Sequence, residues 1–281
     1  MKNIQIVISG LIILFSLTLT ANVFADESKQ GNYVVVLDLS DRVLLPNQAK
    51  GDIAVIKNVY AKFVSDVKSH LIIKSKAKFS VHILSQKNSE LDVIYFNEKL
   101  SIDMELYSIA EKRRSFDKFS NELDALLNDL YKKARYSESK SDYNGVDVWR
   151  YFNELLVYSV FDNSNNSLYV LTDGYFDFES NNNIKRSLNR YTSTNFLSKL
   201  NGDSWHIKAV NNDFGLLAIN SKFTSLNVVV IGVNPKNGSL NEREKLHYFW
   251  NKWLKEMGAK AVIIDKTSIM KTKQRMLYCS L

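Results

Sequence analysis

Tyr33-Val34-Val35-Val36-Leu37-Asp38 and Ser167-Leu168-Tyr169-Val170-Leu171-Thr172-Asp173-Gly174 are the two stretches on which the fold turns. Each is an apolar run of strand length, rich in β-branched residues and closed by an acidic residue. A strand with one wet face alternates apolar and polar side chains. An unbroken apolar run predicts a strand buried on both faces, as in a parallel sheet covered by helices.

Further runs of the same kind lie outward from these two. Phe79-Ser80-Val81-His82-Ile83-Leu84, Asn227-Val228-Val229-Val230-Ile231-Gly232 and Ala261-Val262-Ile263-Ile264 read as strands, and Val93-Ile94-Tyr95-Phe96 as a short one. Helical spacing lies between them. Ile53, Ile56, Tyr60, Phe63 and Val67 form one stripe. Phe119, Leu123, Leu126, Leu127 and Leu130 form a second, within 117–135. Val148, Phe152, Leu155 and Leu156 predict a third helix over 147–160, and a weaker one is expected over 184–200.

Leu246, Phe249, Trp250, Trp253, Leu254 and Met257 make the strongest stripe. Its spacing reads as core rather than as an aromatic ligand platform. Ser239 and Glu242 precede it at capping-box spacing, and Gly258 ends it. The polar stretch 97–145 reads as an elaboration between strands. Strands alternating with helices predict an α/β fold: a doubly wound, mostly parallel open sheet of Rossmann-like type, with helices on both faces.

The amino end sets an expectation about compartment. Lys2, the apolar run from Ile6 to Leu19, and Val23-Phe24-Ala25 have the layout of a secretory signal peptide cut after Ala25. The run is shorter than the ~20 residues a spanning helix needs. Cleavage at residue 25 would leave 256 of the 281 residues, with a domain over 31–268 and a polar tail over 269–281. No later segment is long and apolar enough to span a bilayer. The expected product is exported, periplasmic or secreted. Cys279 is the only cysteine, so an internal disulfide is excluded.

The formal charge is +7, and Lys2 leaves with the signal. The remaining Lys and Arg are spread over amphipathic helices, which reads as a solvated basic surface rather than a nucleic-acid face. Weak attraction to an anionic envelope surface is the other consequence.

Ligands of open parallel sheets bind outside the carboxyl ends of the strands. Asp38 and Asp173 each end a strand, and Ser40 follows the first. Two carboxylates and a hydroxyl in one crevice suit a hard divalent cation such as Mg, Mn or Ca. Asp-x-Ser in Asp38-Leu39-Ser40-Asp41-Arg42, and Thr172-Asp173-Gly174 after a central strand, are where the chain resembles the von Willebrand factor type A (VWA) family. That resemblance implies a metal-ion-dependent adhesion site and a function in protein binding, here with a partner in the cell envelope.

The sequence departs from the family pattern at two places. Arg42 stands where the family has a second Ser, and Val146 where it has Thr. Arg42 is expected beside the site, pairing with Asp38 or Asp173 in place of a metal charge. Asp41 or Asp147 are the substitute oxygen ligands, and Asp177 reads as a solvated loop residue.

Two other function classes start from the same residues. A phosphatase-like, Mg-dependent hydrolase would use the strand-end Asp as nucleophile. Such enzymes need Asp-x-Asp, and residue 40 is Ser. No Gly-x-Ser-x-Gly elbow or phosphate-binding Gly-rich loop occurs, and the four His have no metal-ligand spacing. The expectation is that the chain is not an enzyme. A purely structural envelope protein would leave Asp38 and Asp173 far apart.

Overall fold

A computed structural model describes residues 29–84, 86, 90–177, 185–236 and 238–265. The expected signal segment over 1–25, the tail over 269–281 and Cys279 lie outside the described residues. The elements in chain order are β1 (Gln30–Leu37), α1 (Gln48–Ser69), β2 (Lys78–Ile83), α2 (Val93–Lys99), β3 (Ser101–Asp103), α3 (Ile109–Ala134), α4 (Val148–Arg150), β4 (Ser164–Leu171), β5 (Arg186–Ser187), β6 (Arg190–Tyr191), α5 (Trp205–Asn211), β7 (Gly215–Leu216), β8 (Leu226–Val233), α6 (Leu240–Glu256) and β9 (Lys260–Asp265).

Six strands form the central sheet in the order β3-β2-β1-β4-β8-β9. All pairings are parallel except that of β3, which runs antiparallel to β2. The apolar runs explain why. Val35 and Leu37 of β1 point into a core with Phe63 of α1, Phe79 of β2 and Leu123 of α3. Val34 and Val36 point into a second core with Phe152, Phe196, Trp250 and Trp253. Each run must therefore be apolar at every position, because successive side chains enter different cores. The predicted α/β architecture is the one observed. Trp250 and Trp253 are buried core residues, as their spacing predicts.

The chain fills one side of the sheet first, from β1 to β2 to β3, and then crosses to β4 on the other side of β1. The strand order reverses between β1 and β4. In such sheets this switch point opens a crevice, because the two flanking connections run to opposite faces.

Three local predictions are corrected. Val93-Ile94-Tyr95-Phe96 begins a helix, not a strand. Asp92 caps it by accepting from the Tyr95 amide at 2.9 Å, and of these four only Phe96 is buried. The helix expected over 184–200 is replaced, from residue 185 on, by the β5–β6 hairpin and a 3-10 turn, Thr194–Lys199, that buries Phe196 and Leu197. The helix expected over 147–160 is regular only in α4. It widens into a π-type turn over Tyr151–Leu155 and tightens over Leu156–Ser159. That irregular winding keeps Phe152 and Leu156 in the core while Leu155 faces water. The polar stretch 97–145 holds β3 and the 26-residue α3, which an added Ser108–Glu111 capping box starts earlier than the apolar stripe shows.

Candidate functional site

The site is built at the switch point. Leu37 and Leu171 are register partners at the ends of β1 and β4. The Asp38 amide continues the ladder, donating to the Leu171 carbonyl at 3.0 Å. Asp38 and the Thr172-Asp173-Gly174 turn are therefore adjacent by backbone pairing. One Asp38 oxygen accepts from the Ser40 amide at 3.0 Å, and the other from the Thr172 hydroxyl at 2.9 Å. The same Thr172 oxygen accepts from the Gly174 amide at 3.1 Å. One hydroxyl thus stitches two strand ends and the next turn together. Its role was not read from the sequence, although Thr172 stands beside Asp173.

Asp173 accepts from the Tyr175 amide at 3.1 Å, an Asx-type turn. Its carboxyl is pushed up to about 7, first by burial and then by the nearby Asp38 charge; Arg42 and Lys236 pull the other way without reversing it. The turn is braced from behind. The Trp250 indole N–H donates to the Gly174 carbonyl at 2.9 Å, so the core stripe of α6 reaches the site directly.

Arg42 lies beside the site, as expected, but its carboxylate partner is a different one. Its guanidinium is buried beneath the strand ends and grips Asp52 of α1 with both prongs, at 3.0 and 3.1 Å. Asp52 also accepts from the Gln48 amide nitrogen and the Tyr131 hydroxyl, each at 2.9 Å. Toward the site, Arg42 donates to backbone only, to the carbonyls of Asp38 at 2.9 Å and Leu171 at 3.4 Å. The expected pairing with the carboxylate of Asp38 or Asp173 is replaced by this one. Gln48, Asp52 and Tyr131 were missed because they lie inside helical stripes, and no local pattern links them to Arg42.

Above these groups a cleft of about 190 Å³ opens to solvent. Asp38, Ser40, Asp41 and Asp173 line it, with Asp177 and the cations Lys140 and Lys236. Asp177 is a partly exposed loop residue, as expected, that also lines the cleft wall; it pairs with Lys236 and accepts from the Thr194 hydroxyl at 3.0 Å. Asp147 is not among the lining residues. It caps α4, accepting from the Arg150 amide at 2.8 Å, and burial raises its carboxyl. Val146 lines the cleft, so the position where the VWA pattern has a Thr hydroxyl is apolar here.

The donor set fits a hard divalent cation in kind: the carboxylates of Asp38 and Asp173, the Ser40 hydroxyl, and Asp41 on the same wall. Burial first, and then the Asp38 charge, raises the Asp173 carboxyl. Of the nearby cations, Arg42 is engaged with Asp52 and Lys236 with Asp177, and Lys140 lines the cleft as well. Among the described residues, no group of three or more His, Cys, Asp or Glu side chains is gathered as a metal cage. A cation here would complete its shell with water and ligand oxygens.

No protein-family model, no curated protein and no solved structure matches the chain.

Proposed function

We propose that this chain is an exported, VWA-like protein-binding module of the cell envelope, with the acidic cleft at the ends of β1 and β4 as its ligand site. One observation carries the reading: Asp38 and Asp173 meet at the switch point, locked by Thr172, and open into a shared cleft. A structural protein has no need to set a partly buried Asp173 beside the buried Asp38 there, at a cost in stability. A pre-arranged acidic cleft lowers the ordering cost of a partner that brings positive charge.

When bound, a divalent cation of the Mg, Mn or Ca class supplies that charge. Asp38, Ser40 and Asp173 would hold it, with Asp41 beside them. The chain's own residues keep the donors in place. Thr172 fixes Asp38, the Tyr175 amide fixes Asp173, and the Arg42–Asp52 pair supports the β1 end from below.

The test combines calorimetry with Mg²⁺ and Mn²⁺ and a pull-down from envelope extract with and without chelator. Binding heat is expected in the wild type and not in Asp173→Ala, and capture of a partner is expected to need the metal. If neither Asp38→Ala nor Asp173→Ala changes metal binding or capture, the cleft is not the ligand site. A phosphatase assay with Mg²⁺ separates the hydrolase reading. The expected result is no turnover, since Ser40 cannot act as the general acid.

A further inference from the structure

Among the described residues, three segments at the end of the sheet opposite the cleft expose apolar side chains. Leu71 (68 %) and Ile73 (43 %) lie on the turn between α1 and β2. Leu106 (80 %) and Ile109 (71 %) lie between β3 and the first turn of α3. Tyr158 (78 %) and Phe161 (39 %) lie on the loop entering β4. Hydrogen bonds tie the three segments to the amino ends of the same strands. Gln30 of β1 accepts from the Lys76 amide at 2.6 Å, and Asn32 donates to the Ser159 carbonyl at 2.7 Å. Lys78 of β2 bonds Glu105 at 2.8 Å and sits 4.8 Å from the centre of the Phe161 ring. Monomeric surfaces scatter such residues singly; a group of them marks an interaction face.

The turn itself is strained. Leu71 and Ile72 both have positive φ, 55° and 63°. Gly or Asn holds that backbone at little cost, whereas β-branched Ile does not. The strained turn presents Leu71 to water.

The charge around these residues is basic. Lys68, Lys74 and Lys76 flank the turn, and Arg113 and Arg114 flank Ile109; Lys112 is buried and donates to the Ser75 carbonyl. Most of the nearby acids are paired, Asp117 with Arg113 among them, and Asp162 beside Phe161 is exposed. Asp103 and Glu105 pair with Lys78, Asp66 takes the Gly31 amide, and Glu111 holds Ser108. The described chain also enters here. β1 starts here, at Gln30.

We propose that this end is a docking face for an anionic lipid bilayer. The apolar side chains enter the headgroup boundary, with Tyr158 and Phe161 at the depth aromatic residues favour, and the surrounding Lys and Arg meet acidic headgroups. The face does not depend on the function of the cleft, which lies at the other ends of the same strands.

The test is vesicle flotation of the chain from Asp26 onward, which keeps every described residue. Vesicles of phosphatidylglycerol and phosphatidylethanolamine are compared with phosphatidylcholine alone. Flotation is expected with the anionic vesicles only, falling as salt is raised. Leu71→Ser with Ile73→Ser, and separately Lys74→Glu with Lys76→Glu, should each weaken it about tenfold. These side chains are exposed, so circular dichroism and Tm should stay as in the wild type. Asp173→Ala should float normally. Equal flotation with both vesicle types, none with either, or no effect of the paired substitutions overturns the proposal. So does a dimer in sedimentation velocity that Leu71→Ser with Ile73→Ser dissolves, because the face would then belong to a second copy.

Discussion

Arg42 and Asp52 form a two-pronged ion pair beneath the cleft, with nitrogen–oxygen distances of 3.0 and 3.1 Å and both side chains buried. Removing one partner strands the other in a dry site. Arg42→Ala is expected to cost about 3–5 kcal/mol, and Arg42→Met combined with Asp52→Leu markedly less. Urea unfolding of both variants checks this. Equal losses would show that the pair is not what Arg42 contributes.

Thr172→Val leaves one Asp38 oxygen and the Gly174 amide without their shared partner. A loss of about 1–3 kcal/mol is expected, with Thr172→Ser close to wild type. A serine variant as unstable as the valine variant would point to the lost methyl packing instead of the hydroxyl.

Gly232 sits at a break in register between β8 and β9, with φ +102°. A Cβ there would stand 3.0 Å from the Thr172 carbonyl oxygen and 3.5 Å from the Arg42 guanidinium. Gly232→Ala should lose more than about 1 kcal/mol, from backbone strain and from pushing on the site turn. Gly51, where a Cβ meets nothing within 4 Å, is the control. Gly51→Ala lies in the first turn of α1 and should stabilise slightly in thermal melts.

His82 lies on β2 with Nδ1 2.8 Å from the Tyr151 hydroxyl, and burial pushes its imidazole down to about 4. The native state therefore holds the neutral ring, while the unfolded chain takes up a proton near pH 6.5. Stability should be complete above that pH and fall as pH drops toward 4, by about 2–3 kcal/mol from this group. Urea unfolding at pH 5 and pH 7.5 measures the slope. His82→Gln should flatten it; an unchanged slope would place the acid sensitivity elsewhere.

The legible features share one physical basis. An apolar run of strand length that ends in Asp says that the strand is covered and that the Asp is at its carboxyl end. Parallel pairing of β1 with β4 then brings Asp38 and Asp173 together without further information. The partner of Arg42 could not be read in this way. Asp52 lies ten residues on, inside α1, and Tyr131 lies in α3; only tertiary packing makes them neighbours. The same limit explains Val93-Ile94-Tyr95-Phe96. A short apolar run carries no period, and the cap from Asp92 decided for helix. Asp177 and Lys236 reach the cleft on segments after β4 and β8, whose path depends on where the sheet reverses.

The cleft and the apolar end stand at opposite ends of the same strands. Eight residues of β1 at ~3.3 Å each span about 25 Å. On a docked bilayer that length is a stand-off height. It exceeds the ~8 Å over which a charged surface is felt at physiological ionic strength. Acidic headgroups draw in protons and metal ions close to the membrane, but the cleft opens beyond that layer. Its occupancy would then follow the ion concentrations and pH of the surrounding fluid rather than those at the lipid surface.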